Sequence, residues 1–295
     1  MSVYNEPAVQ QLISLALEED VGSGDVTSIA TIPESARLKA LFNARELLVV
    51  CGLGFLHEVY KRIEPTVQIQ LHAKDGDLLQ RNQPLAQVEG PARAILTGER
   101  VCLNFLQRLC GVATLTREHV QAVAGTQAKV LDTRKTTPGW RALEKYAVLC
   151  GGGTNHRHGL YDMVLIKDNH LAALRNAKPN AIAAAVAKAR AQFPQLKVEV
   201  EADTLEQVQQ ATDAGADIIL LDNMPPAQLR AALAIVKRPM VGPVPDRASP
   251  PKTEASGGVN LKTIRAIAET GVDFISVGAI THSARAMDIG LDYLP

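Results

Sequence analysis

Residues 129–135 read K-V-L-D-T-R-K, and the same design recurs five more times before residue 282. The recurrences are M-V-L-I-K-D-N-H (163–170), K-V-E-V-E-A-D (197–203), A-D-I-I-L-L-D-N (216–223), T-E-A-S-G-G-V (253–259) and D-F-I-S-V-G-A-I-T (273–281). Each is a short apolar run that ends in charged or small polar residues. Helical segments such as A-I-A-A-A-V-A-K-A-R (181–190) stand between them, the strand–helix–strand texture of a parallel sheet. Parallel strands are buried on both faces, so their middles must be apolar. In a closed or nearly closed barrel their C-terminal ends open at one rim, where ligands bind. The reading is therefore an α/β chain with an incomplete parallel barrel of six or seven strands. Its strands begin near residues 130, 163, 197, 217, 253 and 273. Six polar ends meet around one cavity.

The charges at those ends are ordered. Cations come first: Arg134 and Lys135, then Lys167, with Arg157 in the connecting loop. Arginine offers carboxylates a planar fork of donors. Carboxylates follow, in Glu199, Glu201 and Asp222. Glu201 and Asp222 are hard oxygen ligands suited to magnesium, or to a developing cation. The last two ends are rich in glycine, with Ser256, Gly257 and Gly258 and then Gly278. Such turns ahead of helices expose backbone N–H groups to phosphate. The loop C-G-G-G-T-N-H-R-H-G-L (150–160) is expected to be flexible and to lie over a ligand. Its His156 suits anion binding with Arg157 better than a metal pair with His158.

Upstream, residues 7–19 have helical spacing, and D-V-G-S-G-D-V-T-S (20–28) reads as a solvated turn. Residues 37–89 are mostly β with one helix between strands. Residues 97–124 form a long helix in which Arg100, Asn104 and Arg108 share a face. Residues 74–90 have the look of a biotin or lipoate carrier element but lack a lysine at the hairpin tip. Lysine plus arginine (31) equals aspartate plus glutamate (31), so no global field gathers nucleic acid. No apolar run approaches the roughly 20 residues that span a bilayer. The start M-S-V-Y-N-E-P has no signal-peptide character. The four cysteines form no C-x-x-C pair, which fits a reducing compartment. The expectation is a cytoplasmic enzyme with neither nucleic acid nor membrane as partner.

The ordered set D-T-R-K-T-T-P-G, G-G-G-x-N-H-R-x-G-L-x-D, L-I-K-D-N-H, V-E-V-E, L-L-D-N-M, E-A-S-G-G-V-N and I-S-V-G-A-I-T-H-S resembles the quinolinate phosphoribosyltransferases. E-D-x-G-x-G-D-x-T, the A-R-E segment leading to V-C-G, and G-E-R-x-x-L-N-x-L upstream match them as well. The resemblance spans about residues 10–292. It implies an N-terminal α/β sandwich (1–115) followed by the barrel (116–295). The implied reaction joins quinolinate to phosphoribosyl pyrophosphate with Mg2+, releasing pyrophosphate and CO2 and forming nicotinate mononucleotide for NAD synthesis. A homodimer, or a larger assembly, with shared active sites is also implied. By the same resemblance, Arg100 reaches a neighbouring subunit. Arg134, Thr136, His156, Arg157 and Lys167 are substrate-binding residues, the quinolinate carboxylates meeting Arg134, His156, Arg157 and Lys167. Lys135 sits by the pyrophosphate, and Glu201 and Asp222 lie near ribose and magnesium. Ser256, Gly257, Gly258 and Gly278 hold the 5′-phosphate. Lys135, Lys167, Glu201 and Asp222 are the catalytic set.

The segment K-R-P-M-V-G-P-V-P-D-R-A-S-P-P-K-T (237–253) departs from the family pattern. It is longer and richer in proline than expected before the Ser256 strand, and reads as an extended surface loop. Three other functions compete. One is a relative acting on nicotinate, which the dense cationic set disfavours. Another is a Schiff-base aldolase built on Lys167, whose neighbours do not desolvate it. The last is a carrier module, which leaves six strand ends unexplained.

Overall fold

The computed structural model describes residues 2–238 and 250–294, so most of the proline-rich segment lies outside the described residues. The chain divides into two compact units. The first comprises residues 2–117, 135–153 and 279–294, and the second residues 118–134 and 154–278.

The first unit opens with α1 (Pro7–Val21), which has proline in its first turn, and α2 (Val26–Thr31). The run read as a solvated turn thus leads into a helix. Asp25 caps it by accepting the Ser28 N–H at 3.0 Å. There follow β1 (Arg37–Ala44), β2 (Leu48–Val49), α3 (Gly54–Ile63), β3 (Gln68–Leu71), β4 (Leu78–Leu79) and β5 (Pro84–Pro91). The long helix α4 (Ala92–Ala122) comes next and runs on into the second unit. α5 (Arg141–Cys150), α11 (Ala279–His282) and β12 (Ile289–Leu294) complete the first unit. Its main sheet is antiparallel in the order β12-β1-β5-β3. In β1, Ala40, Phe42 and Ala44 are buried at every second position, the alternation that gives a sheet one apolar face. Leu103, Leu106, Leu109 and Val112 of α4 are buried as well. Burial of each such side chain is worth roughly 1.5–3 kcal/mol. Phe105 joins this core by stacking on Phe55 at 4.1 Å and on Trp140 at 5.1 Å.

The second unit holds six strands: β6 (Lys129–Leu131), β7 (Val164–Ile166), β8 (Val198–Ala202), β9 (Ile218–Asp222), β10 (Lys252–Ser256) and β11 (Phe274–Ser276). All their pairings are parallel, in the order β6-β11-β10-β9-β8-β7. The connecting helices are α6 (Asp168–Ala173), α7 (Ala181–Gln192), α8 (Leu205–Asp213), α9 (Pro226–Val236) and α10 (Ile264–Ala268). The segment entering the second unit at Thr154 lies beside β6. Thr154 N donates to Val130 O at 2.9 Å, and Asp132 N donates to Thr154 O at 3.2 Å. The sheet is an α/β barrel left open between β6 and β7.

Two loops differ from their sequence readings. Gly151 and Gly153 are not parts of a flexible flap. A Cβ on Gly151 would stand 2.5 Å from Ala113 O, and one on Gly153 would stand 2.8 Å from the Thr116 side chain. These glycines let the backbone press against α4. The Gly257–Gly258 turn does not open directly into a helix either. α10 starts at Ile264, after a turn in which Asn260 O accepts the N–H groups of Thr263 and Ile264.

Candidate active site

Glu199 and Glu201 stand two apart on β8 and share a face. Glu199 is fully buried, whereas Glu201 is 11% exposed, nearer the C-terminal rim. The reading of Glu199 as a strand end was therefore wrong. It is the second residue of β8, in the barrel interior.

His156 reaches that interior. Its Nε2 lies 3.1 Å from Glu199 on β8 and 3.5 Å from Glu254 on β10. Strands two apart in a flat sheet are separated by roughly 9–10 Å. One imidazole touches side chains of both because the sheet curls. Asp132, buried at the end of β6, accepts the His156 N–H at 2.8 Å. The N–H of Arg157 donates to His156 Nδ1 at 2.7 Å, which places the ring proton on Nε2, facing the glutamates. Burial and the charge of Glu254 raise the Glu199 pKa to about 7, against the pull of His156. Burial opposes a charged imidazole, yet the two glutamates make the ring more basic than usual. A second ring proton would break the bond from Arg157. His156, Glu199 and Glu254 are mutually close enough to hold a metal ion, whereas no such grouping among the described residues pairs His156 with His158.

A second cluster occupies the rim. Lys167, the N-cap of α6 at the end of β7, pairs with Glu201. His170 accepts the Lys167 backbone N–H at 2.9 Å and so acts as a local cap. Asp222 ends β9. Burial, then the charge of Glu201, raises its pKa, and Asn223 donates to it at 2.7 Å. Asp222, made costlier to ionise by Glu201 beside it at an open rim, forms with it a pair suited to a hard divalent cation.

The third group is cationic. Arg157 donates to Met163 O at 3.3 Å. Burial, then the charge of Arg134, lowers its pKa. The charge of Arg134 thus weighs on Arg157, an effect that a bound anion would offset.

The fourth group is the glycine turn. Ser256 ends β10 in register with Asp222, and the Asn223 N–H donates to Ser256 O at 2.8 Å. Gly257 has φ +92°, and a Cβ there would stand 2.1 Å from Asn223 Oδ1, so glycine is required. Gly278 follows β11, the neighbouring strand, by two residues. The second unit thus holds Arg134, His156, Arg157, Lys167, Glu201, Asp222, Ser256, Gly257, Gly258 and Gly278.

Arg100, Lys135 and Thr136 belong to the first unit. Arg100 is exposed on α4. The stripe it was read with is split. Arg108 points into a cage, donating to Glu144 at 2.8 Å and to the carbonyls of Thr281 (2.6 Å) and Ala284 (2.5 Å). Glu144, fully buried, also accepts the Thr137 N–H at 3.0 Å and the Thr137 hydroxyl at 2.8 Å. Thr281 donates to Lys135 O at 2.7 Å, and Thr136 accepts from Arg141 at 3.1 Å. The Lys135–Thr137 loop is held by buried polar contacts. Asp132 and Glu254, which the sequence places among the polar strand ends, prove to be buried supports, and Glu144 was not singled out. The available signal for Glu144 was a carboxylate on a half-apolar helix, since such groups are almost never buried without partners.

Comparison with known proteins shows the family. Residues 25–110 match the family profile "Quinolinate phosphoribosyl transferase, N-terminal domain", and residues 112–292 match the corresponding C-terminal domain. A Bacillus subtilis protein named probable nicotinate-nucleotide pyrophosphorylase (carboxylating) is 43% identical, covering 98% of this chain and 94% of its own. The Mycobacterium leprae nicotinate-nucleotide pyrophosphorylase (carboxylating) is 42% identical, covering 97% of each. The solved nicotinate-nucleotide pyrophosphorylase of Francisella tularensis superposes with a TM-score of 0.89 at 38% identity, covering 100% of this chain and 99% of its own. With both domains matched and full-length relatives near 40% identity, the chain belongs to the quinolinate phosphoribosyl transferase family.

Proposed function

We propose that the chain transfers the phosphoribosyl group of phosphoribosyl pyrophosphate to quinolinate and decarboxylates the product, giving nicotinate mononucleotide, pyrophosphate and CO2. Membership of the family supports the reaction class. What supports the substrate is the placing of Arg134, Arg157 and Lys167 in the second unit, with the charge of Arg134 weighing on Arg157, a cationic set that a pyridine dicarboxylate would suit.

In this reading Arg134, Arg157 and Lys167 bind and orient the diacid so that its ring nitrogen faces the anomeric carbon. His156 acts with them, holding the Arg157 backbone through Nδ1. Bond formation expels pyrophosphate, beside which Lys135 acts, with Thr136 in the same loop. Positive charge growing on the ribose is stabilised by Glu201 and Asp222. The ring nitrogen becomes cationic. The carboxylate beside it leaves as CO2, its bonding electrons held as an ylide that then takes a proton. Ser256, Gly257, Gly258 and Gly278 hold the 5′-phosphate with loop N–H groups. Glu201 and Asp222 would also hold Mg2+, which supplies positive charge for the pyrophosphate when bound.

The reading includes a homodimer in which Arg100 serves the neighbouring copy's site. No helix among the described residues is long and apolar enough to cross a membrane. A cytoplasmic enzyme is the reading its four thiol cysteines support.

The test is one assay with quinolinate, phosphoribosyl pyrophosphate and Mg2+. Release of CO2 together with nicotinate mononucleotide is expected. Turnover of nicotinate without CO2 would replace the substrate assignment.

A further inference from the structure

Outside the site just described, the first unit holds a second cluster of reactive groups. Cys51, Asp75 and Cys150 bring two Sγ atoms and a carboxylate oxygen within 4.8 Å of one another. The two thiols differ in access. Cys51, between β2 and α3, is fully buried, whereas Cys150, the last residue of α5, is partly exposed.

Both are held by rigid frames. Val50, next to Cys51, donates its N–H to Asp77 O at 2.8 Å and accepts the Gly76 N–H at 2.8 Å. On the other side, Arg117 donates to the Gly151 carbonyl at 2.9 Å and to the Cys150 carbonyl at 3.4 Å. That guanidinium offsets the negative end of α5, which would otherwise oppose a thiolate. A hydrogen bond from Cys51 lowers the Cys150 pKa, while burial and Asp75 oppose this.

The neighbours select the chemistry. Asp75 already accepts four hydrogen bonds, from Tyr4 and Tyr146 hydroxyls and from the Gly52 and Leu53 N–H groups. Its saturation leaves the two sulfurs as the reactive groups. Cys110 is committed elsewhere: its sulfur accepts the Cys51 N–H at 3.2 Å and its S–H points to Cys51 O at 3.4 Å.

We propose that Cys150 and Cys51 form a hydroperoxide-sensitive thiol pair, with Cys150 the attacking sulfur and Cys51 the resolving one. Cys150 thiolate attacks a peroxide oxygen and the O–O bond breaks. With hydrogen peroxide the products are a sulfenic acid and, after proton uptake, water. The Cys51 sulfur then attacks the sulfenic sulfur, forming the disulfide and releasing a second water. Overall, two thiols lose two electrons and two protons, and one peroxide is reduced to two waters. The partly exposed sulfur meets the oxidant while its partner waits behind it, the arrangement expected of a thiol sensor. The disulfide would fasten the end of α5, the helix whose Glu144 holds Thr137.

The test uses the full chain treated with hydrogen peroxide, followed by intact mass and peptide mapping. The wild type is expected to lose two hydrogens, to yield a linked Cys51–Cys150 peptide, and to revert with dithiothreitol. Cys51→Ala is expected to stop at a sulfenic acid on Cys150 that dimedone traps. Cys150→Ala and the conservative Cys150→Ser are expected to give neither product, and Cys110→Ala to leave the disulfide intact. Unchanged transferase activity before oxidation reports that each variant is folded. A wild type that keeps both thiols under peroxide overturns the proposal, as does a linked peptide joining other cysteines. Stoichiometric capture of Zn2+ that needs both sulfurs, with no disulfide on peroxide treatment, overturns it in favour of a metal site.

Discussion

Glu199 and Glu201 lie on one strand, on one face, two residues apart, yet they belong to different chemistries. Glu199 is sealed in the barrel with Glu254 and His156, and burial pushes its carboxyl up to about 7. Glu201 sits at the rim with Lys167 and Asp222, where solvent and ligand have access. A step of about 6–7 Å along a strand separates a group that holds the barrel from one that serves a substrate. Depth, more than residue type, assigns the role.

The largest expected effect breaks the interior cluster. His156→Ala leaves two buried carboxylates facing each other without a cation or donor. Removing one partner of a buried charged set costs about 3–5 kcal/mol. Denaturant unfolding should show that loss, and show it larger at pH 8 than at pH 5, since Glu199 escapes the penalty by binding a proton. Equal stability in variant and wild type would mean that the cluster bears no weight.

Glu201→Gln should do the reverse. With stability within about 1 kcal/mol of wild type, because Gln keeps the size of Glu201 and the Lys167 side chain left behind is 44% exposed, kcat/KM should fall about 10²- to 10³-fold. A variant that unfolds early but turns over normally would exchange the roles assigned to the two glutamates.

The third effect follows from the sign of the Glu199 shift. Its folded pKa, about 7, lies above the ordinary 4.5. The protonated form therefore favours folding. Its stabilisation is complete below about pH 4.5 and is lost as pH rises through 7. Glu199→Gln keeps a neutral side chain at every pH. The variant should gain on wild type as pH rises from 5 to 8, by up to about 3 kcal/mol. A melting temperature difference that is flat across this range would show that Glu199 does not titrate there.

Much of this was legible in the chain. All six barrel strands begin within one residue of the positions read from the apolar runs. Strands buried on both faces leave little room for polar residues, so their ends are marked sharply. Of the cations, carboxylates and glycines read at the strand ends, all but Lys135 fall in the second unit. What was hidden depends on neighbours distant in sequence. Nothing in the sequence around Arg108 separates it from Arg100, yet one is caged by Glu144 and two carbonyls while the other faces solvent. Gly151 and Gly153 looked mobile because close packing against Ala113 and Thr116 leaves no local trace. Glu199 looked like a strand end because a run that alternates Val and Glu does not say which glutamate is deeper.

The smallest effect extends the comparison to the opposite end of the strands. Lys252, the first residue of β10, donates to Asp273 at 2.8 Å, and Asp273 also accepts the N–H and hydroxyl of Thr253, at 2.9 and 3.0 Å. Like Lys167 and Glu201, this is an exposed lysine paired with a less exposed carboxylate. It stands at the N-terminal rim, where barrels carry stability and no catalysis. Lys252→Gln should cost less than about 1 kcal/mol, since the lysine is largely in solvent and Thr253 still satisfies Asp273. Activity should not change. A large loss of turnover in this variant would mean that the sign and spacing of a surface ion pair matter more than which end of the strand carries it, and the assignment of the Lys167–Glu201 pair by its rim position would fall with it.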